Sequence, residues 1–89
     1  MIAETVNNCY GRTVNPLNRA LTSGGSSGGE SSLIAMCGSP LGVGTDIGGS
    51  LRIPAACTGI VSLHIRKGGE ISHTLKKTRL CSNCVDSTP

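Results

Sequence analysis

The chain has no Phe, no Trp and a single Tyr among its 89 residues. Aromatic rings supply the largest buried areas in most cores, so a core here must come from Leu, Ile, Val, Ala and Cys. A short chain buries a small fraction of its surface, and this one is poorly equipped to stand as an independent globule. Charge is sparse too, at 15% of residues against 37% hydrophobic, which argues against a disordered polyelectrolyte. No apolar run approaches the roughly 20 residues that span a bilayer, which excludes a helical membrane segment. The stretch Met1 to Asn8 has neither a basic start nor an apolar core and does not read as a secretory signal. The five cysteines are odd in number and irregular in spacing. They fit a reducing compartment better than a disulfide framework, so the expected location is the cytosol.

What charge there is lies unevenly. Residues 1–63 balance Arg12, Arg19 and Arg52 against Glu4, Glu30 and Asp46. The formal net charge of +3 comes entirely from residues 64–89, where Arg66, Lys67, Lys76, Lys77 and Arg79 face only Glu70 and Asp86. Composition shifts at the same point, so a boundary is expected near His64, with a divergent, irregular and disordered basic tail over 64–89. Residues 7–25 read as an irregular extended loop. A helix is expected from Ser27 to Cys37, with Ser27 as N-cap, Glu30 completing a capping box, and Leu33, Ile34 and Cys37 on one face. Gly38-Ser39-Pro40 stops it. Leu41 to Ile47 is a short strand candidate in which Gly42 and Gly44 allow close backbone approach. A second helix over Ser50 to Cys57, with Pro54 in its first turn, precedes a strand at Ile60–Leu63. Cys37 and Cys57 are expected to be buried small apolar groups. Helix, strand, helix, strand is the order of an α/β layer.

Two segments carry the chemistry: Ser23-Gly24-Gly25-Ser26-Ser27-Gly28-Gly29-Glu30 and Gly44-Thr45-Asp46-Ile47-Gly48-Gly49-Ser50. Each sets a hydroxyl directly after two glycines at a helix start, where unpaired N–H groups can hold a developing oxyanion. Either segment alone also reads as a flexible Gly/Ser loop. A phosphate loop needs Lys where Glu30 stands, and a dinucleotide fingerprint needs Gly where Ile47 stands. The nucleophile-elbow pattern matches twice, at Gly24-x-Ser26-x-Gly28 and Gly25-x-Ser27-x-Gly29, with Asp46 and then His64 or His73 following in order. The elbow requires a strand before it, and Asn15 to Thr22 makes a poor one.

The same residues, Gly24 to Glu30 and Gly38 to Ala55, closely resemble the amidase signature family. Glu4 to Asn8 and Tyr10 to Pro16 look like its acetamidase-type branch, and the likeness covers about residues 2–63. The resemblance implies a fragment of the amidase fold, a mixed sheet covered by helices. It also assigns roles. Ser50 matches the acyl-forming nucleophile. Ser26, 24 residues earlier, matches the bridging serine after a cis peptide, here Gly25–Ser26. The N–H groups of Ile47, Gly48, Gly49 and Ser50 match the oxyanion hole, and Ser27, Arg52, Asp46 and Gly25 match supporting positions. The implied reaction is hydrolysis of a small-molecule amide through an acyl-enzyme, with no cofactor and no metal.

The family's base is a lysine upstream of the bridging serine, and no Lys precedes Ser26 here. The resemblance therefore implies little or no turnover by this polypeptide alone. The alternative is a non-catalytic, truncated fragment that associates through exposed strand edges. The residues after Leu63 depart from the family pattern, as expected of a truncated or shifted reading frame. Cys81 and Cys84 have the spacing of half a zinc site, but two further ligands are wanting. The basic cluster around Lys76–Arg79 has no aromatic neighbour to stack a base, so neither nucleic acid nor membrane is expected as a partner.

Overall fold

The computed structural model describes residues 3–67 and 70–76. Asn7 opens the described fold with a side-chain turn. Its Oδ1 accepts the N–H groups of Cys9 and Tyr10 at 2.9 and 2.7 Å, which folds β1 (Val6–Asn7) antiparallel onto β2 (Gly11–Arg12). A single bridge, Val14 to Thr22, holds the following loop. Asn15 is buried inside that loop. Its Nδ2 donates to the carbonyls of Cys57 (2.7 Å) and Thr22 (3.2 Å), and its Oδ1 accepts the N–H of Leu17.

Two helices and three strands follow. Helix α1 is Gly28–Ala35 and β3 is Leu41–Val43. Helix α2 is Arg52–Thr58, closed by Gly59 in the left-handed conformation at φ 72°. Strand β4 is Val61–Lys67 and β5 is Glu70–Lys76. The sheet order is β3-β5-β4, antiparallel in both ladders. Helix α1 packs on β3, α2 on β4, and the helices touch each other. A small two-layer α/β unit results, with Ile34, Leu51, Ala55 and Ile60 as its buried apolar cluster.

Gly42 shows why α1 sits so close to the sheet. A Cβ there would meet Cγ of Glu30 and Cδ1 of Ile34, each at 2.7 Å. Alternation along the strands puts Leu41 and Val43, and across the sheet Val61 and Leu63, on the opposite side. All four are exposed, by 49 to 74%.

The structure departs from the sequence expectations in definite places. The sheet is antiparallel throughout its described ladders rather than mixed, because β5 lies between β3 and β4. The boundary expected at His64 falls inside β4, and residues 70–76 of the expected irregular tail form β5. Register pairs Lys67 with Glu70; Gly68 and Gly69 lie outside the described residues. In α1 only Ile34 of the expected apolar trio is buried. Leu33 and Cys37 are exposed, because the helix turns Gly28, Ser31 and Ser32 inward beside Ile34. Cys37 lies beyond the helix end with φ 63°. Cys57 is half-buried. Among the described residues no helix is long and apolar enough to cross a membrane. None of their His, Cys, Asp and Glu groups cluster where they could hold a metal ion; Cys81 and Cys84 lie outside the described residues.

Candidate functional site

Ser27 joins the two glycine-rich loops. Its N–H donates to the carbonyl of Ser50 at 3.1 Å, and its Oγ accepts the N–H of Thr45 at 3.3 Å. Ser27 is the N-cap residue of α1, and its carbonyl accepts the N–H of Ser31. The side chain does not cap the helix, contrary to the capping-box expectation, because it is committed to the second loop instead. Gly44 makes room for this. A Cβ there would stand 2.7 Å from both Ser27 Oγ and Leu51 Cδ1. Ser26 is therefore one residue from a main-chain bond to Ser50.

The Gly25–Ser26 peptide is cis. Ser26 is exposed and Gly25 buried. A Cβ on Gly25 would run into the main chain of Glu4, 2.8 Å from its N. Glycine is required there by that close approach.

Asp46 shapes the second loop. It is only 1% exposed, yet its two carboxylate oxygens have four donors. Oδ1 accepts the N–H of Gly49 at 2.6 Å and Nη2 of Arg52 at 3.0 Å. Oδ2 accepts Nε of Arg52 at 2.8 Å and its backbone N–H at 3.4 Å. The Arg52 side chain is 60% exposed, so the pair is a bidentate fork with one buried end. The guanidinium hydrogen bond holds the Asp46 carboxyl far below the usual carboxylate range. The N–H of Gly49 adds to this, and the hydrogen bonds together outweigh the opposing effect of burial. The same contact raises Arg52.

The carboxylate thus curls residues 46–52 into a fixed turn at the head of α2. Gly49 takes φ 117°, and its carbonyl accepts the N–H of Ile53 at 2.7 Å. Ser50, half-buried, sits just before α2. Ile47 and Gly48 are exposed at the turn's crest. The four N–H groups that the resemblance implies as oxyanion donors differ in their partners. The N–H of Gly49 is already donated to Asp46. The N–H groups of Ile47, Gly48 and Ser50 have no acceptor among the described residues. A groove of about 400 Å³ lined by Thr13, Val14, Pro16, Arg19, Ser32 and Met36 includes none of the expected site residues.

One residue at this site was missed from sequence. Thr5 Oγ1 accepts the N–H of Gly28 at 2.9 Å and stands 3.0 Å from the Gly24 carbonyl. Its only sequence signal was its place in the stretch Glu4 to Asn8.

The arrangement therefore consists of two serines on glycine-rich loops bonded main chain to main chain, with open N–H groups beside the second. The family model described as Amidase matches residues 1–68. An acetamidase of Aspergillus oryzae is 54% identical over 68 residues, 76% of this chain and 12% of its own length. Fatty-acid amide hydrolase 1 of Sus scrofa is 56% identical over 57 residues, 64% of this chain and 10% of its own. The Curvularia clavata protein kk1C, an amidase by its name, is 52% identical over 87 residues, 98% of this chain and 16% of its own length. That last alignment runs past Leu63, where the family pattern was expected to break off. The chain spans a sixth or less of these relatives. With residues 1–68 matched by that model and both serine loops inside the match, this chain belongs to the amidase family.

Proposed function

We infer that residues 3–63 carry the nucleophile side of an amide-hydrolysing centre. Ser50 Oγ attacks the amide carbonyl, and the N–H groups of Ile47, Gly48 and Ser50 take up the charge on its oxygen. The Ser50 Oγ–C bond forms and the C–N bond breaks. Ser26 passes the serine proton to the departing amine, and water then cleaves the ester to release a carboxylic acid. The observation that carries this reading is the turn at 46–52. Asp46 takes the N–H groups of Gly49 and Arg52, while those of Ile47, Gly48 and Ser50 have no acceptor among the described residues. The substrate class, an amide, rests on kinship with proteins named acetamidase and fatty-acid amide hydrolase.

No Lys precedes Ser26 in this sequence, so in this polypeptide alone Ser50 is an ordinary, weakly nucleophilic alcohol. The 89-residue chain is expected to leave acetamide unhydrolysed. The test is a chimera in which residues 3–63 replace their counterpart in the Aspergillus oryzae acetamidase. Acetamide turnover that disappears with Ser50→Ala and falls at least about a hundredfold with Ser26→Ala supports the reading. Full turnover in the Ser50→Ala chimera overturns it.

A second reading is favoured by the apolar sheet face. Leu41, Val43, Val61 and Leu63 are exposed together, and β3 and β4 are the edges of the sheet. A non-catalytic fragment that binds another polypeptide through these edges and this face accounts for them. Monomeric behaviour at high concentration, with no association on mixing with an amidase of the family, would count against it.

A further inference from the structure

We propose that Thr5 is a positioning residue for Ser26, a role that rests on the reading of Ser26 given above. Thr5 is far from Ser26 in sequence, and its hydroxyl spans the loop that carries Ser26. Oγ1 accepts the N–H of Gly28 at 2.9 Å and has two carbonyls in range, Gly24 at 3.0 Å and Ser26 at 3.3 Å. A hydroxyl has one proton and two lone pairs. The Gly28 N–H takes a lone pair, and the proton is shared between the two carbonyls. One oxygen atom therefore ties both ends of the segment Gly24 to Gly28, and Ser26 is its middle residue.

The main chain of the neighbouring Glu4 forms the other half of the clamp. A methyl group on Gly25 would meet the Glu4 carbonyl carbon at 2.5 Å and its nitrogen at 2.8 Å. One on Gly28 would collide with Thr5 Oγ1 and stand 3.0 Å from Thr5 Cβ. Glycines on either side of Ser26 are thus matched to Glu4 and Thr5, which lie against them. The clamp has its own anchor, because the carbonyl of Thr5 accepts the N–H of Thr13 at 2.9 Å.

The arrangement explains how an exposed serine is held in place. A serine that relays a proton must keep its oxygen within hydrogen-bond reach of donor and acceptor alike. Ser26 lies outside helix and strand, so regular backbone pairing does not fix it. Thr5 supplies what the ladder does not. Its side-chain hydrogen bonds go to the main chain of Gly24, Ser26 and Gly28 and not to Ser50, so it acts through the main chain around Ser26.

Amide hydrogen exchange of the full 89-residue chain, read by NMR, tests this. In the wild type, Gly28 exchanges at least about tenfold more slowly than Gly29, whose N–H has no acceptor among the described residues. Thr5→Val, equal in shape but without the hydroxyl, removes that difference and shifts the Ser26, Ser27 and Gly28 amide resonances. Thr5→Ser restores both. Equal exchange of Gly28 and Gly29 in the wild type overturns the proposal, and so does unchanged Gly28 protection in Thr5→Val. Loss of protection in a folded Thr5→Ser chain also overturns it. If Thr5→Val does not fold, the wild-type comparison and Thr5→Ser decide. None of these readouts depends on chemistry at Ser50. An active Ser50→Ala chimera with Gly28 still protected sinks the catalytic reading alone.

Discussion

The N–H of Ser27 donates to the carbonyl of Ser50 at 3.1 Å, so the two loops that resemble catalytic segments meet through their main chains. The bond involves no side chain. It survives substitution of either hydroxyl, and it makes the relative placement of residues 26 and 50 a property of the backbone. Serine-to-alanine variants at these positions are accordingly readable as chemical changes.

Asp46 makes stability depend on acidity. Its carboxyl is held well below the ordinary range in the folded chain, whereas in the unfolded chain it takes a proton near pH 3.9, about the value for a free aspartate. The stabilisation is therefore complete above that range. It declines as pH falls, because the unfolded state binds the proton first. Urea titrations followed by far-UV circular dichroism at pH 6 and pH 3 should show a clear loss for the wild type. Asp46→Asn should be less stable at pH 6, by about 2 kcal/mol, and should lose less on acidification.

Two glycines should respond in opposite senses to alanine. At Gly24 the backbone is left-handed, with φ 74°, and a Cβ would stand 2.8 Å from Pro54 Cα and 3.0 Å from its nitrogen. Main-chain atoms cannot swing aside, so Gly24→Ala should cost at least about 2 kcal/mol. Gly29 is exposed at the start of α1, with nothing within 4 Å of its Cβ position. Gly29→Ala should be neutral or stabilising by about 0.5 kcal/mol. Denaturation midpoints of the two variants provide the comparison.

Asn15→Ala should destabilise the chain by about 2 to 3 kcal/mol, since it strips partners from the carbonyls of Cys57 and Thr22 and from the N–H of Leu17. Asn15→Asp should do at least as much harm, because a carboxylate would face two carbonyl oxygens. Midpoints for the two variants, measured side by side, check the order.

Ile34→Ala and Leu33→Ala separate the true inner face of α1 from the expected one. Ile34 is fully buried and Leu33 is 42% exposed. Loss of the former should cost about 2 to 5 kcal/mol and unfold much of the chain, while the latter should stay within about 1 kcal/mol. Helical circular dichroism of the two proteins distinguishes them.

Much of this was legible in the residues. Both helices were foreseen to within two residues at their ends, because Gly38-Ser39-Pro40 stops the first and Pro54 marks the first turn of the second. The close approach at Gly42 was also legible, since a glycine inside a strand has few other reasons to be there. The inner face of α1 was not. Periodicity counts apolar residues, but this helix is held close to its neighbours by Gly28, Ser31 and Ser32, which are small rather than greasy. Strand β5 was missed because charge and composition marked its residues as tail.

By itself the sequence determined the family and the local punctuation, because glycine, proline and serine constrain the chain through bonds and sterics that act within a few residues. Only the tertiary structure decided which donors stay open. Thr5 reaches across 23 residues to take the N–H of Gly28, and the carbonyl of Ser50 takes the N–H of Ser27. Hydrogen bonds between segments distant in sequence depend on how the chain packs, and no local pattern records where a single carboxylate or hydroxyl will point.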